Sequence, residues 1–357
     1  MEYNSKYIVN GDQLLKNISN IRNAIGRDVK FCAIVKADAY GLGIDHICPI
    51  IKDNVDYFGV ATLSEALKIR AFDNSSKILL LGAVDYTDIK ECIDNNISIS
   101  VGSLDLLYEV VKYSNAKIHL QINTGMNRYG FRSLSLFSKA IKIISNSNCV
   151  LEGVYSHFAT KENDIMFMKK QLYKFLQYKK LIKNNNLVVH ISNSFGIVLS
   201  DRYYLDMVRS GMLMYGGMHN NIGNKLILSI KSKIIAIQNV KKGETVGYDR
   251  TFKAIKNMHI GIVGMGYADG LDRRLSNNFN VLINDNKCPI IGYICMDIFM
   301  VDITNTNATV GDEVTILGTD CNNSILLDDM AKATGASSYE LMCRFNTKRM
   351  NKIVLRG

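Results

Sequence analysis

Short apolar, β-branched runs alternate with longer segments of helical spacing through the first two-thirds of the chain. The runs are residues 31–37 (FCAIVKA), 57–62 (YFGVAT), 77–83 (KILLLGA), 98–103 (SISVGS), 117–123 (KIHLQIN), 151–158 (LEGVYSHF), 188–194 (VVHISNS) and 207–216 (MVRSGMLMYG). Near-continuous apolar strands of this kind suit a parallel sheet buried on both faces. Between them lie amphipathic segments such as 64–72 and 104–113. Thr62 and Ser64 stand ready to cap the first, Ser103 and Asp105 the second. Eight strand–helix units predict an α/β fold, a closed (β/α)8 barrel in preference to an open doubly wound sheet.

Past residue 225 the rhythm changes. Apolar runs at 226–237, 240–251, 259–264, 281–283, 289–302 and 313–317 follow one another with turns between them and no intervening helix. Helical signal returns at 326–334 and 338–345. This predicts a second, β-rich domain, dividing the chain into 1–225 and 226–357.

Composition narrows the class. The 357 residues are 47% hydrophobic and 21% charged, ordinary for a globular chain. No apolar run approaches the ~18 residues of a membrane span, and the start, MEYNSKYIVNGDQ, has no apolar leader. Eight cysteines without a C-x-x-C pair read as buried hydrophobes in a reducing cytoplasm, with no metal site. Lys and Arg exceed Asp and Glu by 43 − 33 = 10. These cations are scattered, with no basic tract for nucleic acid, so small anions are the better partners.

Barrel enzymes keep their chemistry at the C-terminal ends of the strands. The first run ends in Lys36, directly after four apolar residues. Burial there lowers a lysine pKa, as covalent or proton-transfer chemistry needs; the alternative is an ordinary snorkelling lysine. The last two runs end in Ser194 and in Arg209-Ser-Gly211-Met212, where barrels bind phosphate. Arg128 sits in a glycine-flanked loop suited to a carboxylate. The sixth run carries His157 between Tyr155 and Phe158, and a lone histidine there is more often a satisfied core residue than a catalytic one. In the β-domain, Gly264-Met-Gly266-Tyr267-Ala-Asp269-Gly270 presents a phenol, and Cys295-Met296-Asp297 forms another loop. Neither glycine pattern is a Walker or dinucleotide motif.

Taken together, AIVKADAYGLG (33–43), NTGMNRYG (123–130), GVYSHFAT (153–160), HISNS (190–194), RSGMLMYG (209–216), ETVGYDRTF (244–252), GMGYADG (264–270) and ICMD (294–297) resemble the bacterial alanine racemases, pyridoxal 5'-phosphate (PLP) enzymes of fold type III. The blocks stand in family order across nearly the whole chain. The resemblance implies that Lys36 carries the cofactor and acts as one base, and that Tyr267 is the opposing acid/base. It implies a phosphate cup of Tyr40, Ser194, Gly211 and Met212. It places Arg209 on the pyridine nitrogen with His157 orienting it, Arg128 on the substrate carboxylate, and Met296 and Asp297 in the loop closing the substrate site. It further implies a homodimer with sites shared between subunits, and D-alanine for peptidoglycan as the product.

The chemistry agrees with such roles. Racemisation removes a Cα proton and returns one to the opposite face, so it needs two bases. A free amine and a free phenol both hold their protons to about pH 10, so the surroundings must lower them. An arginine on the ring nitrogen gives up its proton with difficulty and keeps the cofactor a weaker electron sink.

Several positions depart from the pattern. Leu42 stands where histidine is common, Gln121 where a carbamylated lysine often braces the arginine, Asn123 for Asp, and Asp249 for Gly. The C-terminal R-V-P-R is absent, with Thr347 at a position often tyrosine. These changes surround the substrate. They leave open a serine or broad-specificity racemase of the kind linked to vancomycin resistance. A non-catalytic PLP-binding protein is the reading from another class, and the β-domain with Tyr267 argues against it.

Overall fold

The computed structural model describes residues 4–160, 164–183, 186–345 and 348–356. Each of the eight sequence runs coincides with a strand to within a residue at its start: Lys30–Ile34, Tyr57–Val60, Lys77–Leu80, Ile97–Val101, Lys117–Gln121, Val150–Tyr155, Val188–His190 and Met207–Ser210. They lie side by side in parallel, in chain order, and the last returns to pair with the first. Between the seventh and eighth, the Arg209 N–H donates to Ser192 O at 3.1 Å and the Asp206 N–H to Val189 O at 3.0 Å, which joins the remaining edge. The result is the expected (β/α)8 barrel.

The caps fall where the residue types suggested. Thr62 Oγ1 accepts the Glu65 N–H and begins the helix Leu63–Arg70. Ser103 does the same for Leu104–Val110. Each satisfies an orphan donor of a first turn. Both helices end earlier than the amphipathic pattern. After Arg70 the chain is pulled aside, since the Arg70 guanidinium donates to the carbonyls of Asp73, Asn95 and Asn96.

The second unit is a nine-stranded sheet built around the long strand Leu228–Val240. This strand pairs with Glu313–Asp320 along its first half and Met258–Val263 along its second, with register shifts that turn it from one neighbour to the other. The run at 240–251 holds little strand; it is a turn leading to the short hairpin Thr245–Val246 and Phe252–Lys253. The first strand of the chain, Lys6–Asn10, also lies in this sheet, antiparallel to Leu228–Val240 and parallel to Asn351–Leu355. Asn10 then caps the helix Gly11–Ile25, which leads into the barrel. Among the described residues no helix is long and apolar enough to cross a membrane.

Candidate active site at the mouth of the barrel

Lys36 follows the first barrel strand by one residue and leads a turn with an unusual backbone. Ala37, Asp38, Ala39 and Tyr40 have φ of 52°, 52°, 54° and 58°, a left-handed turn made without glycine. Glu65 fastens it. One of its oxygens accepts the amides of Ala37 at 2.6 Å and Asp38 at 3.4 Å, and the other accepts that of Ala61 at 2.8 Å. Burial lowers the Lys36 pKa, nearby Arg128 lowers it further, and Glu65 opposes both. The amine therefore loses its proton more readily than a free lysine.

A cavity of about 320 Å³ opens here. Lys36, Tyr40, Arg128, His157, Ser194 and Arg209 all line it. The ends of five strands thus converge where the sequence placed the chemistry. Gly211 lines it too, and a Cβ there would stand 2.7 Å from Tyr40 Oη and 2.9 Å from two ring carbons. Burial pushes the Tyr40 phenol well up, so it stays a neutral donor. Ser194 Oγ accepts the amides of Gly211 and Leu213, each at 3.3 Å. Among the described residues no hydrogen bond reaches the Met212 amide between them, while the Met212 side chain is buried towards Gly217. A phenol, a hydroxyl and a free amide around a position with no room for a side chain fit a phosphate group.

Arg209 is only 3% exposed. Nη1 donates to His190 Nδ1 at 2.6 Å; Nη2 donates to Ser156 O at 2.7 Å and lies 3.2 Å from both His157 Nδ1 and Ile191 O. Its plane lies over the Tyr155 ring, 5.3 Å from the centroid. Burial brings the guanidinium down to about 10, and it remains a cation at neutral pH. His157 is its opposite. Burial, then Arg209, Arg128 and Lys36, bring it down to about 3, so it is neutral.

Arg128 occupies a loop folded on Asn123, whose Oδ1 accepts the amides of Gly125 and Asn127. Its guanidinium has no hydrogen bond or ion pair among the described residues. Gln121 lines the same cavity but does not bond to it.

Tyr267, Met296 and Asp297 do not line this cavity. Tyr267 is 43% exposed and Met296 52% exposed on the β-domain. Their loops are tied together: the Tyr267 amide donates to Cys295 O at 3.0 Å and the Ala268 amide to Met296 O at 3.1 Å. Gly266 permits this, since a Cβ there would stand 2.2 Å from Met296 O. Arg349 spans both loops, donating to Asp269 at 3.1 Å and Asp297 at 2.5 Å.

Two family models match the chain: the alanine racemase N-terminal domain over residues 9–219 and the alanine racemase C-terminal domain over 227–354. The chain belongs to the alanine racemase family. Alanine racemase 2 of Caldanaerobacter subterraneus subsp. tengcongensis is 34% identical, over 98% of this chain and 94% of the relative. The alanine racemase of Borreliella burgdorferi strain ZS7 is 34% identical over 99% and 98%. A solved alanine racemase from Streptomyces lavendulae superposes with a TM-score of 0.93 at 26% identity, covering 100% and 98%. One from Bartonella henselae, with covalently bound pyridoxal phosphate, gives 0.90 at 25% identity, covering 99% of each chain.

The departures from the alanine racemase pattern have structural readings. At position 123 an amide serves as well as a carboxylate, because the loop needs an acceptor oxygen, and the spare Nδ2 donates to Asn127. Asp249 has φ 57°, the backbone that glycine commonly provides and that aspartate tolerates. Leu42 is fully buried in the core. Thr347 lies outside the described residues. Tyr339, by contrast, lines the cavity, 6.0 Å from the Tyr40 ring. Sequence patterns also passed over Glu65. The Thr62-x-x-Glu65 spacing reads as a capping box, yet the carboxylate leaves its helix to hold the lysine turn.

Proposed function

We infer that the chain is a PLP-dependent isomerase that interconverts L- and D-alanine, with D-alanine for peptidoglycan as its product. The carrying observation is the convergence of a pKa-lowered Lys36 with a phosphate cup around Gly211 and the buried cation Arg209 in one cavity. The division of labour falls near residue 225. Residues 1–225 hold the cofactor; residues 226–357 supply the opposing tyrosine.

Lys36 would hold the cofactor and take the Cα proton from one face. Tyr40, Ser194 and the free Met212 amide would hold its phosphate. Arg209, held by His157 and His190, would serve as the donor to the ring nitrogen. The bound cofactor supplies delocalisation of the Cα electron pair. Arg128, without a partner among the described residues, would fork onto the substrate carboxylate and fix Cα over Lys36.

Tyr267 works from a second copy of the chain. Within one chain it stands apart from the cavity, exposed beside Met296 and Asp297, as a group that completes a neighbour's site would. The homodimer then has two shared sites, each with bases on opposite faces of Cα, and works in the cytoplasm.

Mixing Lys36→Ala with Tyr267→Phe tests this reading. Each variant alone should be inactive, and a dimer holding one of each should regain one intact site. No recovery of activity in verified mixed dimers would defeat the shared site. Tyr267→Phe should also slow Cα–H exchange from one enantiomer far more than from the other. Equal loss on both would contradict two opposed bases. A hydroxyl added to the substrate meets only ~10²-fold discrimination in an apolar pocket, so kcat/KM for L-serine beside L-alanine measures the alternative specificity.

A further inference from the structure

Arg209 is buried with no carboxylate in contact among the described residues, and its Nη1 begins a hydrogen-bond chain that runs down through the barrel. His190 Nδ1 accepts that N–H at 2.6 Å. The other nitrogen of the ring, Nε2, lies 2.9 Å from His119 Nδ1. His119 Nε2 lies 3.3 Å from Glu152 Oε2, and the same oxygen accepts the Ser98 hydroxyl at 2.5 Å. Five barrel strands contribute one member each.

The direction of the chain follows from its ends. A guanidinium has only donors, and a carboxylate only acceptors. Each imidazole between them must therefore carry its proton on Nε2 and accept on Nδ1. Both rings are fully buried, and burial lowers both histidines, so they are neutral. Burial pushes Glu152 up, but the bonds from His119 and Ser98 outweigh it and hold the carboxyl at about 2, so it is charged.

Packing fixes the ring planes. Tyr155 stacks on His190 at 4.9 Å with 9° between planes, and His119 meets His190 edge-on at 5.2 Å. His119 owes its place to Gly153, where a Cβ would stand 2.2 Å from Nδ1. The Glu152-Gly153 pair thus supplies the acceptor and the room for the ring that reaches it.

We propose that Glu152 is a positioning residue for Arg209. Through His119 and His190 it sets the direction of the hydrogen-bond chain, and so leaves the guanidinium a pure, oriented donor towards the cofactor ring. A carboxylate placed directly on Arg209 would neutralise the guanidinium beside the cofactor ring; one placed two imidazoles away stabilises the buried cation through the single Nη1–H that His190 accepts. The proposal rests on the reading of Arg209 given above.

Histidine ¹⁵N spectra of the cofactor-free protein test the relay by itself, with signals assigned by their loss in His119→Asn and His190→Asn. Both rings should remain neutral Nε2–H tautomers from about pH 5 to 8, where a free histidine titrates. A proton on Nδ1 of either ring, or an imidazolium at neutral pH, overturns the proposal. In the loaded enzyme, Glu152→Gln keeps the shape and removes the charge. It should lower kcat about tenfold, the low end for loss of an outer carboxylate behind an imidazole ligand, with KM for alanine unchanged and the cofactor absorbance shifted. Unchanged kcat and spectrum in the folded variant overturn the positioning role. Ser98→Ala should produce a smaller change of the same sign and serves if Glu152→Gln does not fold; no change there overturns the role equally. Arg209→Lys separates the two readings. An unaltered loaded spectrum in that variant, with the Nε2–H tautomers in place, removes Arg209 from the cofactor ring and leaves the relay standing.

Discussion

Glu65 holds the amide of Ala37 at 2.6 Å, although the two residues belong to different strand–helix units. The turn it holds is left-handed through four residues without glycine, a conformation that costs about 1–2 kcal/mol per residue. Glu65→Ala removes an acceptor shared by three amides and should destabilise the fold by about 2 kcal/mol. It should also loosen Lys36, so that bound cofactor is lost on dialysis. Denaturant midpoints and retained visible absorbance measure the two effects. A stable Glu65→Ala that keeps its cofactor would show that the turn holds itself.

Gly211→Ala should damage the phosphate cup and strain the packing around Tyr40. The added methyl stands 2.7 Å from the Tyr40 hydroxyl, on a ring too rigid and too buried to yield. Cofactor affinity should fall at least tenfold, or about 1.4 kcal/mol, in a fluorescence titration of the cofactor-free protein. Unchanged affinity would place the phosphate elsewhere.

His157 predicts an acid limb of stability. Its pKa is about 3 in the folded chain and 6.5 in the unfolded one. Between these values the unfolded chain binds a proton that the folded chain does not, so stability is full above about pH 6.5 and is lost as pH falls towards 3. His119 and His190, also lowered, add to the same slope. Urea midpoints across this range should fall with pH, and His157→Asn should flatten the fall. An equal slope in that variant would mean His157 is not held neutral.

Arg349 ties the Asp269 and Asp297 loops, which carry Tyr267 and Met296. The pair with exposed Asp297 contributes little to stability, while buried Asp269 loses a charged partner in Arg349→Ala, so the melting temperature should fall modestly. Displacing the phenol should instead lower kcat roughly 10- to 100-fold, with partial recovery in Arg349→Lys. Full activity in Arg349→Ala would mean that the loops hold each other through the Tyr267–Cys295 and Ala268–Met296 backbone bonds alone.

Much of this protein is local in its physics and therefore legible in one dimension. A buried parallel strand must be apolar along its length, and eight such runs separated by helical spacing specify a barrel. A lysine, two arginines, a serine and a glycine at the ends of those runs must meet at one mouth, because parallel strands all end on the same face. Caps such as Thr62 and Ser103 act within three residues, so their types reveal them.

What the chain order hides are relationships set by hydrogen bonds between distant strands. The strand Lys6–Asn10 joins the β-domain because its partners, Leu228–Val240 and Asn351–Leu355, leave an edge there to fill. Glu65 looks like a capping residue until its helix is placed beside the Lys36 turn. Ser98, His119, Glu152 and His190 carry no spacing that announces a relay; barrel closure alone brings their inward-facing side chains into line. Tyr267 belongs to the family pattern, but only the folded chain shows it standing outside the cavity that Lys36 lines. Sequence periodicity settles the succession of barrel strands and helices, while the donors and acceptors of a buried polar group are settled only when the strands have closed, since each such group must find its partner inside the fold.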